Sequence, residues 1–114
     1  MKKLVKVLKA TSDPNRLRIL KILQIKSMCV CELQFSLELA QSSISKHMKI
    51  LEEAELVDSR KDGLWVNYFL HKSDENQYAA EMLDKLESWL EEDPDIEKIV
   101  ARARLADRIE IKSL

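Results

Sequence analysis

Glycine and proline are nearly missing from this chain, with one Gly and two Pro in 114 residues. So few turn-formers argue against a fold of many tight turns and for a mainly helical one. A single Gly also leaves no glycine-rich phosphate-binding loop. Long apolar runs are missing too: none approaches the roughly 18 residues needed to span a bilayer. The stretch MKKLVKVLKA, Met1–Ala10, keeps a helical polar/apolar rhythm. It has no apolar core leading to a small-residue cleavage site, so it reads as a helix and not as a signal peptide. The expected setting is therefore the cytoplasm, off the membrane, where thiols stay reduced. Cysteine is scarce, limited to Cys29 and Cys31. They form no Cys-X-X-Cys pair, and a disulfide across one intervening residue would be strained.

Charge is plentiful, at 34% of residues. The net charge of −1 hides an asymmetry. Met1–Gly63 carries 12 Lys/Arg against 8 Asp/Glu, and Leu64–Leu114 carries 7 against 12. Contact with a polyanion is expected in the front half.

Apolar spacing divides the chain into elements. A first helix over Lys2–Ala10 shows Leu4, Val5 and Leu8 on one face. Asp13 followed by Pro14 is an N-cap and first-position pair. It opens a second helix to about Ile25. A short third helix covers Val30–Leu37. After a turn at Glu38–Ala40, a fourth covers about Gln41–Glu55, with Ile44, Met48 and Leu51 on its buried side. The pattern then changes to strands, about Leu56–Arg60 and Leu64–Leu70, around the Asp-Gly turn signal at Gly63. A helix resumes from about Glu75 to Glu91, and Asp93-Pro94 opens a last one. The order of elements predicts a mainly α chain with a β-hairpin, a winged helix-turn-helix. Residues 1–92 would form the DNA-binding and dimerisation domain and 93–114 a helical extension.

The segment AQSSISKHMKILEEAELVDSRKDGLWVNYFL, Ala40–Leu70, carries a specific pattern. It closely resembles the arsenical-resistance repressor (ArsR/SmtB) family of bacterial winged-helix transcription regulators. Gln41 to Met48 match that family's recognition helix, and Leu51, Leu56, Val57, Arg60 and Gly63 continue the match. SDPNRLRILKIL, Ser12–Leu23, resembles its second helix. Ala40 stands where a capping Ser is common, and Glu55 where Gly is usual. The resemblance implies a DNA-binding repressor, not an enzyme. Its DNA surface would comprise Gln41, Ser42, Ser43, Ser45, Lys46, His47 and Lys49 on the fourth helix, with Arg60 and Lys61 on the wing. Chemistry agrees: hydroxyls and backbone N–H groups at a helix start suit phosphate, Gln reads an adenine edge, and Lys reaches phosphates or bases. The plainer alternative is a solvated polar flank, with His47 packed against the core.

Cys29-Val30-Cys31 matches, in register, the Cys-Val-Cys of the family's arsenic-sensing members. Some members add a cysteine three residues after the second; here that residue is Gln34. The implied ligand is As(III) or Sb(III) as inducer, with no organic cofactor. Soft metalloids prefer thiolates, and a helix N-terminus is expected to lower a thiol's pKa. Zinc fits less well, since a structural site wants four ligands and His47 and His71 are expected far away. Residues two apart in a regular helix point about 200° apart. Binding is therefore expected to unwind or bend the first turn of the third helix. The alternatives are thiols that simply pack, or a redox or reactive-sulfur switch. An arsenate-reductase-like enzyme lacks its motifs, and a protein–protein adaptor would lack salt-dependent DNA binding.

A homodimer is expected through Leu4 and Leu8 with Met82, Leu86, Trp89 and Leu90. Two-fold symmetry then predicts a double-stranded operator that is an imperfect inverted repeat.

Overall fold

The computed structural model describes residues 1–72 and 75–107. Its helices are α1 (Lys2–Ala10), α2 (Pro14–Leu23), α3 (Val30–Leu37), α4 (Gln41–Glu53), α5 (Gln77–Leu86) and α6 (Pro94–Leu105). The strands are β1 (Met28–Cys29), β2 (Val57–Asp62) and β3 (Trp65–Leu70), forming an antiparallel sheet in the order β1-β3-β2. This is the winged helix-turn-helix expected from the sequence. α3 and α4 are the helix pair, and β2–β3 is the wing.

The starts of the helices follow local rules. The Asp13 carboxylate accepts the Arg16 N–H at 3.0 Å and Pro14 takes the first position of α2. Asn76 and Asp93 cap α5 and α6 in the same manner. α4 begins at Ala40 with no side-chain cap.

The ends need other means, because glycine is scarce. Glu38, between α3 and α4, sits in left-handed backbone at φ 57°. Glu55 does so after α4, at φ 62°. There the Leu56 N–H reaches Leu51 O and the Glu55 N–H reaches Glu52 O, a Schellman closure. Glycine suits that position because an L side chain there costs roughly 1–2 kcal/mol. Cations from other elements donate to free carbonyls at the ends of α1, α3, α5 and α6. Arg16 donates to Lys9 O and Ala10 O at the end of α1. Arg102 donates to Phe35 O and Ser36 O at the end of α3. The buried Lys21 donates to Leu86 O at 2.7 Å and Trp89 O at 2.9 Å. Lys26 donates to Ala106 O at the end of α6.

Several boundaries differ from the sequence reading. α5 stops at Leu86 rather than Glu91, since Lys21 takes the carbonyl that a continued helix would use and Leu90 adopts φ 66°. The wing turn is Gly63-Leu64, so Lys61 and Asp62 belong to β2. Only Gly63 of that pair has positive φ, the type II′ pattern. β1 is too short to show periodicity and was not expected. Leu86 is 1% exposed and belongs to the core, so it offers no face to a partner.

One core joins α1–α6. Ile19, Leu20 and Ile22 of α2 meet Leu33 of α3, Ile44, Met48 and Leu51 of α4, and Val57 of β2. The extension from residue 93 contributes Ile99 and Ala103 to the same cluster. Residues 108–114 of that extension lie outside the described residues. Among the described residues no helix is long and apolar enough to cross a membrane.

Candidate metalloid and DNA sites

Cys29 and Cys31 meet where β1 turns into α3. Cys29 is the last residue of β1 and also the N-cap of α3, with extended backbone at φ −85°, ψ 170°. Only Cys31 lies within the helix. The two are free thiols, and their Sγ atoms stand 2.9 Å apart. The premise that both cysteines lie in regular helix is corrected: the bend at Cys29 already brings the sulfurs together.

Glu32 secures this arrangement. Its carboxylate accepts the Cys29 N–H at 3.0 Å, while the Cys29 sulfur faces the Glu32 N–H, completing a capping box. The expected lowering of thiol pKa is also corrected. Burial, then the contact with Cys31, pushes the Cys29 thiol up to about 12. The helix N–H does act in the lowering direction, but it is outweighed. Cys29 is thus a protonated thiol at neutral pH. Cys31 is partly exposed at its side, giving a ligand a way in.

A sulfur is a poor substitute for a capping hydroxyl. Cys29→Ser should keep the capping box and match the wild type's stability. Cys29→Ala should lose the cap, at a cost of about 0.5–2 kcal/mol. Urea unfolding of both variants checks this, and equal midpoints for Ser and Ala would contradict it.

β1 gives the pair a second neighbour. Cys29 faces Asn67 across β1–β3, and Asn67 faces Arg60 across β3–β2. One cross-strand row thus links the thiol site to the wing. Among the described residues no three His, Cys, Asp or Glu side chains converge as a metal site. Both histidines are engaged elsewhere, His47 beside Arg16 and His71 at 2.5 Å from Asp58.

On α4, Gln41, Ser42, Ser45, Lys46 and Lys49 are exposed and form one face. The first N–H groups of α4 have no side-chain cap and open onto the same end. Ser43 is half-buried, and only 16% of the His47 side chain is exposed. Arg60 and Lys61 are exposed on β2, with the Arg60 guanidinium 5.5 Å from the centre of the Phe69 ring. Sequence reasoning missed Arg16 as a partner of His47 and Asn67 as a partner of Cys29. Contacts across separate elements leave no local signal.

Comparison with known proteins agrees with this architecture. Residues 13–59 match the family described as bacterial regulatory protein, arsR family. The arsenical resistance operon repressor of Escherichia coli is 34% identical over 97 residues, covering 84% of this chain and 80% of that protein. HlyU from Vibrio cholerae superposes with a TM-score of 0.63 at 36% identity, covering 75% of this chain and 88% of that one. A homodimeric winged helix-turn-helix DNA-binding domain from Mycobacterium bovis, a possible ArsR-family regulator, gives a TM-score of 0.64. It is 22% identical and covers 82% of this chain and 86% of its own. The chain therefore belongs to the ArsR family, and is a winged helix-turn-helix, DNA-binding transcriptional repressor.

Proposed function

We propose that this repressor releases its operator when trivalent arsenic or antimony is bound by Cys29 and Cys31. The observation that carries the reading is the pair of free thiols 2.9 Å apart at the joint of β1 and α3. Soft, thiol-seeking ions suit such a pair.

The protonated state of Cys29 favours a metalloid over a divalent cation. Zinc must expel thiol protons into solution before it binds. Arsenous acid carries hydroxides of its own. Two arsenic–sulfur bonds form and two arsenic–oxygen bonds break. Each thiol proton leaves with a hydroxide as water, so no net proton is released. At Cys29 the same proton opposes attack on peroxide, because the thiolate is the reacting form.

Binding would draw the Cys29 sulfur away from the Glu32 N–H and loosen the start of α3. α3 packs against α4, which is proposed to read the DNA through Gln41, Ser42, Ser45, Lys46 and Lys49. Arg60 and Lys61 would grip flanking backbone. Leu4, Leu8, Met82, Trp89 and Leu90 line adjoining apolar clefts, with Leu8 and Trp89 about half exposed. That surface is proposed to join two copies, which would bind an imperfect inverted repeat.

The test is binding of arsenite to the reduced chain. Intact-mass measurement should show one arsenic per chain, and both titratable thiols should disappear together. Affinity should be flat from pH 6 to 8. Zinc affinity should instead climb with pH by up to tenfold per unit for each proton expelled. Thiols that titrate unchanged in excess arsenite would overturn the reading. Protection by peroxide rather than arsenite would favour a redox switch.

A further inference from the structure

Arg16 lies outside the α3–α4 pair, yet it touches the recognition helix. Its Nε donates to Ala10 O at 2.7 Å and its Nη2 to Lys9 O at 3.1 Å. Its Nη1 lies 3.2 Å from Nδ1 of His47, on α4. A guanidinium has only donors, so Nδ1 must accept. An imidazole whose Nδ1 accepts is neutral and carries its proton on Nε2. Asp13 Oδ2 approaches the same nitrogen at 4.0 Å, beyond hydrogen-bond reach, and does not compete for it. His47 Nε2 has no partner among the described residues, and it is absent from the buried, unsatisfied atoms, unlike His71 Nε2. With 16% of the side chain exposed, Nε2 is the ring nitrogen left for an outside partner.

We propose that Arg16 is a positioning residue, which fixes the His47 ring through Nδ1 and aims its Nε2–H donor at an acceptor on the DNA. The inference rests on α4 being the surface that reads the operator. It also makes His47 both packed and functional: one ring nitrogen is tied to the fold and the other is presented outward. The same guanidinium closes the end of α1, the helix proposed to lie at the dimer interface.

Salt dependence separates this role from an ordinary phosphate contact. A cation that neutralises a phosphate releases a counterion, and its loss reduces the slope of log K against log[salt] by about one. A neutral donor, or a residue acting through one, leaves the slope unchanged.

The experiment starts from the duplex that the full-length wild type enriches from a randomised library. Affinity for it is measured by fluorescence anisotropy at several salt concentrations. His47→Asn keeps an acceptor for Arg16 but loses the Nε2 donor. It should bind about tenfold more weakly with an unchanged slope. Arg16→Met should weaken binding by a similar factor, again without a change of slope. In the wild type, ¹⁵N NMR of His47 should show Nε2 protonated and Nδ1 bare. Binding by His47→Asn within twofold of wild type would overturn the proposal, as would a protonated Nδ1. A slope lowered by about one in Arg16→Met would make Arg16 a phosphate contact and would overturn it too. A wild type that enriches no duplex would remove the DNA reading itself, and this inference with it. Should either variant fail to fold, the wild-type NMR result still decides.

Discussion

Arsenite added to the repressor–operator complex should weaken DNA binding by about 5- to 150-fold, the range of a coupling of about 1–3 kcal/mol. The size follows from where the thiols sit. Cys29 is at once the N-cap of α3 and a member of the sheet that forms the wing. A ligand bridging Cys29 and Cys31 competes with the Glu32 capping box, and it bears on Asn67 and then Arg60 along one row. Both elements that would touch DNA therefore feel the event. Cys29→Ser and Cys31→Ser should each bind DNA like the wild type and ignore arsenite. Anisotropy titrations with and without arsenite decide this. Wild-type affinity that arsenite leaves unchanged would discard the metalloid as signal while leaving the winged helix intact. Release from the Cys29→Ser variant would move the site elsewhere.

Ending the chain after Glu92 should cost most of its stability. α6 places Ile96, Ile99 and Ala103 against α2 and α3, each less than a tenth exposed. Truncating one buried Ile costs about 2–5 kcal/mol, against a total of about 5–15 kcal/mol for a typical domain. α6 also supplies Arg102, which satisfies two carbonyls of α3 and lies 4.8 Å from the Phe35 ring centre. Asp95, at its start, pairs with Arg18 of α2 at 2.6 Å. The shortened chain should show no cooperative melt. Ile99→Ala in the full chain should lower Tm by roughly 10 °C or more, at about 4–8 °C per kcal/mol. A shortened chain that melts within a few degrees of the full one would show that α6 is dispensable.

These expectations draw on parts of the molecule that were unequally legible beforehand. Asp13-Pro14 and Asp93-Pro94 mark helix starts because capping acts within four residues. Gly63 marks the wing because only a few residues tolerate its backbone. The spacing of Ile44, Met48 and Leu51 gave the buried side of α4. β1 was invisible, since two residues have no period and their partners lie 38 and 40 positions away in sequence. The early end of α5 was invisible for the same reason: it is imposed by Lys21, 65 residues distant. The state of the thiols was misread because a helix N-terminus is local, whereas the burial that outweighs it is not.

The cations that close the helix ends have a further consequence, for folding. Helix termini normally fray first, each on its own. Here Lys21, Lys26 and Arg102 reach carbonyls 65 to 80 residues away in sequence. Those ends cannot be completed while the chain is still assembling neighbouring segments. They close only when distant parts have met, after the entropic cost of long loop closure has been met. A glycine cap would have made each end a local event. With nearly no glycine to use, the chain makes the fraying of α3, α5 and α6 part of global unfolding.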